Sequence, residues 1–346
     1  MKASFLAAAA ALAIAASTVP SAAQEKFGRW SPPVKLTLAL NSEAIDERSP
    51  TSNDEEGQNR CSQRHFGPFS DWSDPVWLGP IVNSSVDDQH PAISHNGLSL
   101  YITSIRPGGF GNSDIWVSQR DTLDDPWGAP QNLGSNINTA DPEFGPDFSP
   151  DGHWLFFSRG LPAQIWVSYR KDADDDFGWG PAVKLRGDIN LPGLDDNAPT
   201  FFHDHKTGIT SIYFNSILRT DGPGGFDIYV STQLENGTFG RAKIVPELSS
   251  PRRDTRTAIR NDGLEMFITS DRSGSFGLID LWVATRETTL DVWSTPINLG
   301  PTINTQYDDG GPALSCDGTT LYFYSNRPGG SGGRDLYVTT RHKIHF

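Results

Sequence analysis

Cysteine is nearly missing from this chain of 346 residues, which has two. That excludes a small disulfide-stapled fold and a four-cysteine zinc site. Basic residues are also scarce, 28 Lys and Arg against 42 Asp and Glu, for a net charge of −14. Sequence-independent binding to nucleic acid or to anionic lipid needs a basic surface, so neither is expected. After the first two dozen residues no stretch offers 18 apolar residues in a row, and no later segment reads as a membrane span. Apolar stripes at helical spacing are lacking too, which predicts almost no helix. No His-Glu-x-x-His pair or Walker loop occurs. The Ser-x-Asp-x-Gly-x-x-Trp turns typical of sialidases are also missing.

What the chain does have is glycine (34), proline (25) and an aromatic content of 11%. Its length fits two ordinary domains or one large closed β architecture. Residues 1–23 read as an export signal. Lys2 gives the positive start, Ala3 to Ala16 the apolar run, and Ser21-Ala22-Ala23 the small residues of a cleavage site. The expected location is the periplasm or the cell exterior, with a mature chain over 24–346 and no membrane span after cleavage.

The body repeats itself. Trp30, Trp72, Trp127, Trp179, Phe239 and Trp293 each precede an aliphatic residue by six positions, with spacings of 42, 55, 52, 60 and 54. Inside each unit the same order recurs. An asparagine comes first (Asn83, Asn138, Asn190, Asn304), then acidic residues, then a turn such as Asn261-Asp262-Gly263. An aromatic-rich run follows, as in Leu321-Tyr322-Phe323, then a glycine loop, then a closing element such as Asp280-Leu281-Trp282-Val283. Asn-Gly and Asp-Gly join antiparallel strands tightly. Short aromatic and β-branched runs between Gly and Pro are strands. Four short strands in each unit of about 50 residues describe a β-propeller blade. The first unit, 37–71, loses its later strands. The expectation is therefore an all-β, six-bladed propeller of four-stranded antiparallel blades with a degenerate first blade. The alternative is a five-bladed ring closed by Trp72–Leu78.

The stretch Leu321-Tyr322-Phe323-Tyr324-Ser325-Asn326-Arg327-Pro328-Gly329-Gly330, with Asp335-Leu336-Tyr337-Val338, resembles the WD-like propeller repeat of TolB-like exported bacterial proteins. The resemblance implies a scaffold whose channel and upper face bind peptides, proteins, metal ions or glycans.

The acidic series that opens each first strand is the candidate site. It comprises Asp87 and Asp88, Asp141 and Glu143, Asp195 and Asp196, Asp254, and Asp308 and Asp309, with Asp46 and Glu47 in the first unit. First strands line a propeller channel, so these carboxylates should converge on one mouth and attract a cation such as Ca2+ or a basic peptide. Asp before a strand also serves its own turn, which is the structural reading. His90 stands next to this series and could pair with a carboxylate. His203-Asp204-His205 could offer two zinc ligands but lacks a third. Cys61 and Cys316 would be neighbours in a closed ring and could form a bridge.

The expected function is a monomeric, non-catalytic exported scaffold that binds an envelope protein, a peptide segment or a cation. The alternative is a glycan-active hydrolase or lyase, with Asp88, Asp196 and Asp309 as its carboxylates. Asymmetry separates the two: a catalytic carboxylate should occupy a position that the other blades fill differently.

Overall fold

The computed structural model describes residues 68–217 and 219–344. Residues 1–23, read above as an export signal, most of the degenerate unit and Cys61 lie outside the described residues. A short closing strand, β1 (Val76–Trp77), leads into one helical turn, α1 (Gly79–Val82). Blade I follows as β2 (Asp88–Ile93), β3 (Ser99–Ser104), β4 (Asp114–Gln119) and β5 (Gln131–Asn132). Blade II is β6 (Glu143–Phe148), β7 (Trp154–Arg159), β8 (Gln164–Tyr169) and β9 (Val183–Lys184). Blade III is β10 (Asp195–Asp204), β11 (Ile209–Ile217), β12 (Phe226–Thr232) and β13 (Lys243–Ile244). Blade IV is β14 (Asp254–Ile259), β15 (Glu265–Ser270), β16 (Asp280–Thr285) and β17 (Ile297–Asn298). Blade V takes β18 (Asp309–Leu314), β19 (Thr320–Ser325) and β20 (Asp335–Thr340), and its outer strand is β1.

The ring has five blades, not six. Val76 pairs with Val338 and Trp77 with Tyr337, so the start of the described chain completes the last sheet. The inner strands β18 and β2 also touch, which leaves no gap for a sixth blade. The closure is the one foreseen for a five-bladed ring, through Trp72–Leu78. It removes two sheet edges.

Each blade buries both faces against its neighbours. For that reason the second strands have continuous apolar centres rather than alternating ones, such as Leu100-Tyr101-Ile102 and Met266-Phe267-Ile268; every residue of β3 and β15 is buried. Five separate cores fill the five interfaces between blades. Phe156 and Ile165 of blade II meet Phe201 and Phe214 of blade III. Leu100 and Trp116 of blade I meet Tyr322 and Leu336 of blade V across the closure. The repeated asparagines have a structural task. Asn138 exchanges two hydrogen bonds with the Ile115 backbone, as Asn190 does with Ile165, Asn304 with Leu281 and Asn83 with Leu336. In this way four of the five connections between blades are clipped to the third strand of the blade before them; at the fifth, Ser249 bonds the Ile228 backbone instead.

Candidate functional site

The inner strands β2, β6, β10, β14 and β18 surround the channel and touch one another around the ring. Each carries a bulge at the third residue counted from its buried acid. The bulged residues all have positive φ: His90 at 51°, Gly145 at 68°, Ala198 at 54°, Arg256 at 43° and Gly311 at 65°. A bulge turns its side chain out of the pleat, here into the lumen. Four of the bulged N–H groups donate to a second-strand side chain of the preceding blade. The pairs are Gly145 to Thr103, Ala198 to Ser158, Arg256 to Asn215 and Gly311 to Thr269. The fifth such position is Tyr324. Its ring lies edge-on to His90, with centroids 5.7 Å apart, and the Arg334 guanidinium sits over it at 5.2 Å.

The acidic series separates into two sets. Asp88, Glu143, Asp196, Asp254 and Asp309 are fully buried. Each holds the arginine of its own blade's glycine loop: Arg106 at 2.5 Å, Arg159 at 2.7 Å, Arg219 at 2.8 Å, Arg272 at 2.5 Å and Arg327 at 2.6 Å. These arginines also bond a backbone carbonyl of the connection that precedes the blade, such as Val82 or Ile303. The carboxylates fasten blades, and their lone pairs are taken by guanidinium, hydroxyl and backbone N–H groups. The residues one position earlier are Asp87, Pro142, Asp195, Arg253 and Asp308. Three of them are carboxylates at the wide mouth. Arg334 donates to Asp308 at 3.0 Å and stands 3.8 Å from Asp87. Asp195 accepts from the Asn197 amide at 2.6 Å and forms no ion pair among the described residues. Asp141 is exposed on the connection before β6. His203 is buried and bonded to Thr210, away from the wide mouth. Among the described residues no group of three or more His, Cys, Asp or Glu side chains is placed to hold a metal ion. Cys316 is disulfide-bonded and lines the opposite mouth.

Two cavities lie along the channel. A cavity of about 300 Å3 is lined by Gln89, His90, Phe144, Asn197, Asn215, Phe226, Tyr324 and Arg334, of which Arg334 contacts Asp87 and Asp308 and Asn197 contacts Asp195. A second cavity of about 100 Å3 is lined by Asp147, Thr200, His203 and Thr257 among others. Arg256 lines both and so stands between them. Burial holds the His90 imidazole well below its usual range, and the Arg256 and Arg334 charges add to this. Burial raises the Tyr324 phenol. Burial also lifts Asp147 to about 7, against the backbone N–H of Phe201 that bonds its Oδ2 at 2.6 Å. Neither Asp147 nor Arg256 belongs to the series read from the repeat. The signal for them was a departure from it. The position of Asp147 carries Ala92, Thr200, Ala258 and Ala313 in the other blades, and Thr257 stands where the others have Pro91, Pro146, Pro199 and Pro312.

No family model matches the chain, and no curated protein matches it. Solved structures do. An α-L-arabinofuranosidase from Lactobacillus brevis aligns at TM-score 0.55 and 13% identity, over 77% of this chain and 92% of that one. An endo-arabinase from Bacteroides thetaiotaomicron aligns at TM-score 0.54 and 14% identity, over 78% and 98%. A thermostable family-43 glycoside hydrolase aligns at TM-score 0.52 and 13% identity, over 78% and 93%. At such identity the likeness is one of fold: a single five-bladed propeller. These neighbours are glycoside-hydrolase propellers rather than TolB-like proteins, so the resemblance read from the repeat holds at the level of the propeller. The expectation of a non-catalytic scaffold is corrected by the same finding. Its physical basis is weakened as well, because five of the carboxylates counted towards an acidic mouth are buried in ion pairs.

Proposed function

We propose that the protein is a glycan-active hydrolase whose chemistry takes place at the wide mouth of the channel. One observation carries this reading. Asp87, Asp195 and Asp308, from three different blades, each contact a side chain that lines a cavity of amide, aromatic and guanidinium groups: Asp87 and Asp308 contact Arg334, and Asp195 contacts Asn197. Sugar rings are held by such mixtures of hydrogen-bonding groups and flat apolar faces. Glycoside hydrolysis needs one carboxyl to protonate the leaving oxygen and a second carboxylate to activate water or attack the sugar, at ~5–10 Å separation. Asp195, which forms no ion pair among the described residues, is assigned the proton transfer to the leaving oxygen. Asp308, held by Arg334, is assigned the base or nucleophile, and Asp87 orients Arg334 from its other side. The glycoside hydrolases named above support the reading by their shared architecture. The alanine-rich start, 1–23, supports an exported enzyme that meets its polymer outside the cytoplasm.

The test is the release of reducing ends from arabinan, xylan, glucuronoxylan and pectin by the mature chain. Release from at least one polymer is expected. It should fall by about 10^2-fold or more in Asp195→Asn and in Asp308→Asn, with melting temperatures close to that of the parent. No release from any polymer, or release that survives both changes, would refute the assignment.

A further inference from the structure

We propose that the wide cavity accepts the carboxylate of an acidic sugar unit, a uronate, with the Arg256 guanidinium at the cavity floor as its counter-charge. This rests on the glycan reading above and names the class of sugar. Arg256 is 8% exposed. Its guanidinium has no hydrogen bond or ion pair among the described residues. The chain makes room for it: a Cβ on Gly145 would collide with Nη1, and the Ala198 backbone lies alongside. A buried guanidinium without a partner is costly to hold, and its fork matches a carboxylate through two parallel hydrogen bonds.

Three further observations point the same way. The Nε of Arg334 and the Nδ1 of His90 are buried in the same cavity without partners among the described residues. The nearest acid, Asp147, makes no ion pair with Arg256 and keeps its proton up to about pH 7. Arg256 itself, lowered by burial to about 10, stays charged at neutral pH. Asp195 opens β10 and Asp308 precedes β18, whereas Arg256 is the third residue of β14, so Arg256 lies further along the channel from the mouth than the rim carboxylates do. A uronate with its carboxylate directed inward would therefore present its glycosidic bond to Asp195 and Asp308. A volume of about 300 Å3 is at the small end of ligand sites and suits a single ring.

The experiment is calorimetric titration of the full mature chain with glucuronate, galacturonate, glucose, galactose and sodium sulfate. The parent should bind one uronate about 10- to 100-fold more tightly than its neutral counterpart, the range of a charge-assisted pair. Arg256→Met should remove that preference and melt no lower than the parent. If Arg256→Met does not fold, Gly145→Ala, whose new methyl displaces the guanidinium, should weaken uronate binding by about 10-fold. Equal binding of neutral and acidic sugars would overturn the inference and leave the glycan reading standing. So would sulfate binding as tight as uronate binding, or a uronate preference that survives both changes. Failure of every sugar to bind would remove both.

Discussion

Asp147 is the sharpest probe of how charge is arranged in the channel. Burial lifts its carboxyl from an ordinary value of 3.8 to about 7. In the unfolded chain the group ionises near pH 4, while in the fold it holds its proton until about pH 7. The stability it contributes is therefore fully present below pH 4 and is lost as pH rises through 7. At 1.36 kcal/mol for each pKa unit, the loss amounts to about 4 kcal/mol. Asp147→Asn removes the titration, and its carbonyl oxygen can still accept from the Phe201 N–H. The assay is urea unfolding by tryptophan fluorescence between pH 4 and pH 8.5, with parent and variant side by side. Other titrating groups cancel in the difference. The stability of the variant minus that of the parent should rise by about 3–4 kcal/mol from pH 4 to pH 8. A flat difference would refute the reasoning. It would mean that Asp147 is ionised and balances Arg256, and the argument for an uncompensated guanidinium would fall with it.

The blade fasteners lead to a second expectation. Asp309→Ala leaves the half-buried Arg327 without its carboxylate, and a loss of about 3 kcal/mol in urea unfolding is expected. Gly187, at φ 113°, lies against the Phe239 backbone where a methyl would collide, so Gly187→Ala should lower stability by at least ~2 kcal/mol. His90 is held below its usual range by burial, so its stabilising contribution exists above pH 6.5 and is lost as pH falls through the lowered value. Imidazole resonances in a 15N-edited spectrum should show His90 neutral at pH 6, where an exposed histidine is largely protonated.

The repeat itself was legible because the blades share their fasteners: a buried acid and an arginine in the glycine loop in all five, and an asparagine clip at four of the five connections. Their spacing in the chain follows the spacing of the strands. Which acid of each doublet is buried was not legible. Neighbours in a strand point to opposite sides, and the bulge after Asp88, Asp196 and Asp309 shifts that alternation locally. The roles of Asp87 and Asp88 thus differ by one register step. The blade count depended on a contact between Val76 and Val338, which the repeat pattern alone does not encode. Asn41 to Pro50 copies the start of a blade, but it is β1 that completes the ring. Asp147 and Arg256 were hidden for a further reason. Reading by repeat favours what every blade shares, whereas a site lies where one blade differs.

The account stands or falls on where a sugar sits. The most direct measurement is a crystal structure of Asp195→Asn soaked with a uronate-containing oligosaccharide that the parent cleaves. The account predicts one ring inside the 300 Å3 cavity, its carboxylate on Arg256 and its glycosidic oxygen beside position 195. A sugar resting on the outer blade edges, or at the mouth lined by Asp147 and His203, would contradict it.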